Sequence, residues 1–295
     1  MKKNIAATAL LTTVGGLAFS HAAPESESQL DANLEETTIL ANRSLTDLSK
    51  VGSSVTVLDV GLLEREGILS VDQALKFVPG AISESTGGQN GTISSLFLRG
   101  TATQHAHLRV DGMRLSGANI SSGNFLGGSG ISGLSRIEIL RGPQSALYGG
   151  DSIGGVIGLY SRRGTGDPSG RIFLEAGSHQ SHRATLYLQG ELDRLAYAIS
   201  IGYQQTDNDL PNNRFIQHGQ SIRLDYAASD SLDIGLTLRS FQSDLRRPNY
   251  ADPNFARAAD DRTVSTLATV FATLRVNEIL TSKLTLGIYR EDYHA

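Results

Sequence analysis

Gly150-Asp151-Ser152-Ile153-Gly154 has the G-x-S-x-G spacing of a nucleophile elbow, in which a serine on a tight strand-to-helix turn attacks an acyl carbon. A helix must follow such a serine. Here Gly155, Val156, Ile157 and Gly158 follow, a glycine-rich and β-branched run that suits a strand, so a secreted hydrolase is kept only as an alternative. Gly128 to Gly133 has G-x-G-x-x-G spacing, which holds a pyrophosphate when a helix starts there; the strand-like "LSRIEIL" comes next, so the stretch reads as a loop. His105 and His107 lie two apart on one strand, and His179 and His182 bracket a turn. Neither pair has the further His, Cys or carboxylates at the spacing zinc requires. Asp207 and Asp209, with Asn208, Asn212 and Asn213, make an oxygen-rich loop of the kind that can hold calcium, a weak metal candidate. No catalytic set emerges, and the chain reads as a non-enzyme.

The elements around these residues are mostly β. Thirty-two glycines in 295 residues, no tryptophan and no long apolar run fit strands and turns better than a helical bundle. The absence of cysteine excludes a disulfide framework and thiolate metal sites. The formal charge is −4, and it becomes more negative without Lys2 and Lys3, which argues against nucleic acid as a partner. Met1-Lys2-Lys3, the apolar Ile5–Phe19 and the small residues around Ala22 are the three parts of a signal peptide, expected to be cleaved after residue 22. Thr12, Thr13, Gly15 and Gly16 interrupt the apolar stretch, which is too short for a spanning helix. Residues 23–35 are polar, acidic and aperiodic, and read as a disordered leader.

"ETTILANR", Glu36 to Arg43, is an extended segment with β-branched Thr37, Thr38 and Ile39. Val51 to Asp59 alternates as a strand, Asp59 can cap a short helix, and Gly67 ends it. Ser70 and Gln73 stand at capping-box spacing before a helix whose Val71, Ala74, Leu75 and Val78 form one apolar stripe, stopped by Pro79-Gly80. Ser83–Thr92 and Ser116–Gly133 are polar and read as loops, the apices expected to face a ligand. Between them come the strand "ISSLFLRGT" and a hairpin turning at Asp111-Gly112. From Ser135 a strand places Ile137 and Ile139 on one face and Arg136 and Glu138 on the other; Gly142-Pro143 breaks it, and Val156 to Tyr160 is the next strand. Beyond the linker Gly164–Gly170, alternating segments separated by turns predict strands near 171–178, 183–190, 195–205, 215–226, 231–242, 263–276 and 282–292.

The segment Arg141-Gly142-Pro143, Ser145, Tyr148-Gly149 and Ile153-Gly154-Gly155 resembles the closing motif of the plug domain of TonB-dependent outer-membrane receptors. Phe97, Arg99 and Gly100, then Asp111, Gly112 and Arg114, match the family's other plug motifs, and "VDQALKFVPG" fits its helix. One departure stands at Gly158-Leu159, where the family usually places Asn-Ile. "ETTILANR" is similar to the TonB box, with Glu36, Thr37, Thr38, Ile39, Leu40 and Ala41 as the TonB-binding residues, and is most like that of the cobalamin receptors.

The resemblance implies an α+β plug domain, a small mixed sheet with short helices, at 44–163. Antiparallel β-strands of an incomplete transmembrane β-barrel would follow at 164–295. It also implies an outer-membrane receptor that takes up a large scarce nutrient, with cobalamin as the expected ligand and a ferric siderophore as the alternative. TonB with its inner-membrane energising complex and outer-membrane lipid would be the partners. No cofactor would be required beyond a possible calcium at Asp207 and Asp209. Arg99, Arg114 and Arg141 would pair plug to barrel. Plugged transporters need about 22 strands, so seven predict an open curled sheet with an unpaired edge, a truncated product or the N-terminal portion of a longer receptor.

Overall fold

The computed structural model describes residues 37–43, 46–86, 90–115, 120–277 and 280–294. The expected signal peptide, the leader and Glu36 lie outside them. The strands are β1 (Thr37–Thr38), β2 (Thr46–Asp47), β3 (Ser54–Asp59), β4 (Ala81–Ser85), β5 (Ser94–Leu98), β6 (Ala106–Val110), β7 (Met113–Arg114), β8 (Leu134–Arg141) and β9 (Gly155–Ser161), then β10 (Ser169–Gly177), β11 (Ser181–Leu192), β12 (Leu195–Thr206), β13 (Phe215–Ser229), β14 (Leu232–Pro248), β15 (Arg257–Arg275) and β16 (Thr281–His294). The helices are α1 (Val60–Arg65), α2 (Val71–Leu75), α3 (Ile120–Gly128) and α4 (Ser145–Tyr148).

A five-stranded mixed sheet, in the order β3-β8-β9-β6-β7, forms the first unit with two two-stranded ribbons, β1-β2 and β4-β5. β6 and β9 are its parallel pair. The other unit is an antiparallel meander in which β10 to β16 pair in sequence order, with β10 and β16 at its edges. All seven strands expected there are present, and most run longer than predicted, because the register continues past the last apolar residue into paired polar ends such as Arg247 opposite Ala259.

Local chemistry accounts for several boundaries. Asp59 accepts from the Leu62 amide at 2.6 Å and starts α1. At the Asp111-Gly112 turn both residues have positive φ, as the tight hairpin between β6 and β7 requires. The capping box at Ser70 is not formed: the Ser70 hydroxyl turns to Asp72, and Gln73 accepts from the Leu69 amide at 3.1 Å.

Both predicted apices are corrected in part. Ser83–Ser85 belong to β4, paired with β5. Residues 120–128 are helix α3; its glycines read as a loop because they are small for packing. A Cβ on Gly127 would drive into the Thr92 carbonyl, and one on Gly123 would stand 2.8 Å from Ile93 Cγ2.

The main core lies on the face of the sheet that carries Ile137, Ile139, Ile157 and Leu159, against Val60, Leu75 and Phe125 of the helices. Phe241 and Leu267 of the meander join this cluster, so the two units share a core. Phe125 and Phe241 meet edge to face with centroids 5.5 Å apart.

Candidate functional site

The opposite face of the five-stranded sheet carries Glu138, Leu140, Val156, Gly158, His107 and Arg109, as the register requires. Alternation alone would expose a charge there. Instead Glu138 is fully buried and paired with Arg136 at 3.0 Å. Segment 37–43 covers it. The Thr38 hydroxyl donates to Glu138 Oε2 at 2.7 Å, and the Ile39 and Leu40 amides donate to the same oxygen at 2.9 Å. The Tyr148 hydroxyl donates to the Leu40 carbonyl at 2.7 Å, and the Leu40 side chain packs with Leu140, Tyr148 and Val156. The guanidinium groups of Arg43 and Arg109 lie over the Tyr148 ring at 5.0 and 5.3 Å. Thr37–Thr38 alone are strand, paired with Thr46–Asp47, and residues 39–43 turn over the sheet.

Burial and the positive charges of Arg114 and Arg109 push the His107 imidazole down to about 4. His105 lies in a single 3-10 turn before β6, so the two histidines do not share a strand face. His179 forms the tip of the β10–β11 hairpin with positive φ and meets Asp209 at 3.3 Å, and Asp207 lies 3.8 Å from Arg214. Both acidic residues of the calcium candidate thus have a basic neighbour, and among the described residues no three His, Cys, Asp or Glu groups gather as metal ligands do.

The plug-motif residues hold the turn between β8 and β9. Gly155 has φ +150°, and its α-carbon approaches the Leu140 carbonyl so closely that a side chain would collide with it. The Gly142 amide donates to the Gly154 carbonyl at 2.8 Å. Ser152 is buried, donates to the Gly149 carbonyl at 2.6 Å and is followed by β9, so the nucleophile-elbow geometry is not formed.

Among the described residues, the three arginines expected to pair plug to barrel meet groups of the first unit. Arg114 pairs with Asp151, Arg141 donates to the Pro79 carbonyl, and Arg99 packs beside Gly142, all within the first unit. The contacts run from the meander instead. Arg223 donates to the Ser161 carbonyl at 3.0 Å, Arg239 to the Gly130 carbonyl at 2.7 Å, and Gln217 to the Gly128 carbonyl. Tyr187 donates to Glu64, which Arg183 also faces at 3.8 Å, and Ser132 and Ser200 share a hydrogen bond of 2.8 Å.

Sequence reasoning missed Glu138 and these meander side chains. The readable signals were an acidic residue flanked by isoleucines inside an apolar strand, and long polar side chains at inward positions of an alternating one.

Residues 47–156 match the family model described as the TonB-dependent Receptor Plug Domain. The fold is similar to that of the ferripyoverdine receptor of Pseudomonas aeruginosa (TM-score 0.75, 18% identity, 88% of this chain and 36% of that one). It is also similar to the ferric yersiniabactin uptake receptor of Yersinia pestis (TM-score 0.67, 20% identity, 82% and 41%) and the ferric preacinetobactin receptor of Acinetobacter baumannii (TM-score 0.72, 13% identity, 88% and 40%). The chain therefore spans about two fifths or less of the length of these receptors. Residues 47–156 are thus similar to a TonB-dependent receptor plug domain, and with its seven-stranded wall the chain has the fold of part of such a receptor.

Proposed function

We propose that the chain serves energy-coupled uptake across the outer membrane, as a TonB-dependent receptor for a ferric siderophore. The observation that carries this reading is the inverted polarity of the wall. Its inward positions, facing the plug, are buried and, apart from a few apolar contacts such as Phe241 and Leu267, mostly polar, among them Thr185, Ser200, Ser221, Thr237 and Thr269. Its outward positions are apolar and exposed, among them Leu188, Ile201, Leu236, Leu238, Val270 and Ile288. A soluble sheet buries the apolar side; a wall between lipid and a polar lumen does the reverse. Strands of 14 to 19 residues in β13 to β16 also exceed the roughly 9–11 needed to cross the hydrocarbon.

In this reading the N-terminal signal exports the chain, and segment 36–43 hangs toward the periplasm when released. TonB then adds it as a strand through backbone hydrogen bonds. No bond of the nutrient is made or broken. The siderophore reading draws on the similar receptors, which are named for ferric pyoverdine, yersiniabactin and preacinetobactin. Cobalamin is the second reading and rests on "ETTILANR" and the Asp207–Asp209 loop.

The test is capture by the purified periplasmic domain of TonB. Wild type is expected to be retained and Thr38→Pro lost, since proline removes a donor and fixes φ; equal capture of both refutes the box. Binding of radiolabelled ferric siderophores against labelled cobalamin then decides the ligand.

A further inference from the structure

The wall lacks inward side chains at one place, where β12 meets β13. Gly202 and Gly219 are register partners there, and a Cβ on Gly219 would meet nothing within 4 Å. With the plug segment 129–132 they bound a cavity of about 30 Å³, room for roughly one or two waters or a single monatomic ion. Arg239 of β14 lines this cavity. It is 7% exposed, its Nη2 donates to the Gly130 carbonyl at 2.7 Å, and its Nη1 is buried with no hydrogen-bond partner in the chain. Among the described residues no carboxylate lies within 4.0 Å of the guanidinium. Asp111, the acid that acts on it from further off, is held by the Ser161 amide and hydroxyl at 2.8 and 2.6 Å. Arg183 lines the cavity too, with a second Nη1 that makes no hydrogen bond, but Glu64 and Glu175 at 3.8 and 3.7 Å offset its charge.

A guanidinium keeps its proton at neutral pH, so the cost of burying it is not relieved by neutralising the group. Water in the cavity would bond Nη1 and leave the charge uncompensated, whereas an anion does both. The hydroxyls of Ser129 and Thr185, buried in the cavity lining, can turn to donate as well. We propose that this cavity is a binding site for a small monovalent inorganic anion of the halide class, held by Arg239 and Arg183 between plug and wall. The anion ties residues 129–132 to the wall strands and makes the docking of the two units depend on chloride. The site does not rest on the uptake reading above, since it is built from the two units whatever the chain transports.

The experiment uses the full chain in detergent micelles, with halide as the probe. Thermal unfolding is followed at one ionic strength while sodium chloride replaces sodium gluconate, whose anion is too large for the cavity. The wild-type midpoint is expected to rise by about 2–4 °C from roughly 5 to roughly 200 mM chloride, as linkage to a ligand of the folded state requires. Arg239→Met, which keeps an unbranched side chain and removes the charge, should show at most about a quarter of that rise. A wild-type midpoint that ignores chloride, or an equal rise in Arg239→Met, overturns the site. Should Arg239→Met fail to fold, Gly219→Val decides by the same criterion, because its side chain enters the cavity and leaves the guanidinium in place. Wild-type crystals grown in sodium bromide then locate the ion. An anomalous peak beside Arg239 Nη1 supports the site, and density there without anomalous signal, meaning water only, overturns it.

Discussion

Glu138 and Gly158 stand opposite each other on neighbouring strands, a buried carboxylate beside a residue with no side chain, and Leu40 occupies the space the glycine leaves. The carboxylate is also the counter-ion of Arg136, itself nearly inaccessible to solvent. Removing one member of such a pair leaves the other charge buried without compensation. Glu138→Ala is therefore expected to cost about 3–5 kcal/mol of plug stability. Urea unfolding in detergent, compared with wild type, measures it, and a loss below about 1 kcal/mol would show that Arg136 finds another partner or water.

Helix α3 predicts a sharp contrast between two glycines. Gly127 lies against the Thr92 carbonyl, a backbone group that cannot rotate away, whereas nothing stands within 4 Å of a Cβ at Gly219 on β13. Gly127→Ala should destabilise by about 1–3 kcal/mol and Gly219→Ala by less than about 0.5. Equal thermal midpoints for the two variants would mean that α3 does not sit on residues 92–94.

The same helix marks the limit of what the residues disclose on their own. The seven wall strands, the Asp59 cap and the Asp111-Gly112 turn were readable because each is fixed by its own neighbours: an alternation, a capping side chain, a dipeptide with positive φ. α3 was not, since "ISSGNFLGG" has the composition of a loop and is helical through close packing against β5. Glu138 was hidden for a related reason. Its alternation on β8 points it to what would be solvent, and the cover comes from residues 38–40, far away in the chain. The neighbours of the motif arginines were equally illegible, because a motif says nothing of what faces it: Arg114 meets Asp151 and Arg141 a backbone carbonyl.

Between plug and wall, Tyr187 of β11 donates to Glu64 of α1. Tyr187→Phe should lower stability by about 1 kcal/mol, the usual net value of one hydrogen bond. Combined with Glu64→Gln in a double-mutant cycle, it should show a coupling of at least about 0.5 kcal/mol. Strict additivity would mean that the contact carries no energy.

His107 predicts an acid limb. The ring is 4% exposed on the face of the sheet that carries Glu138, its edge toward Tyr148, and burial with Arg114 and Arg109 holds its pKa at about 4, with Asp151 opposing them. An unfolded histidine titrates near 6.5. Between these values the unfolded chain binds the proton and the folded one does not, so stability falls as pH drops. The contribution is complete above about pH 6.5, declines toward pH 4 and is gone below it, a total of up to roughly 3 kcal/mol. His107→Gln removes that proton uptake, so the stability difference between wild type and variant should be flat above pH 6.5 and move in favour of the variant on acidification. An NMR titration of the ring near pH 6.5 in the folded chain would show that the imidazole is hydrated and that this face of the sheet is open.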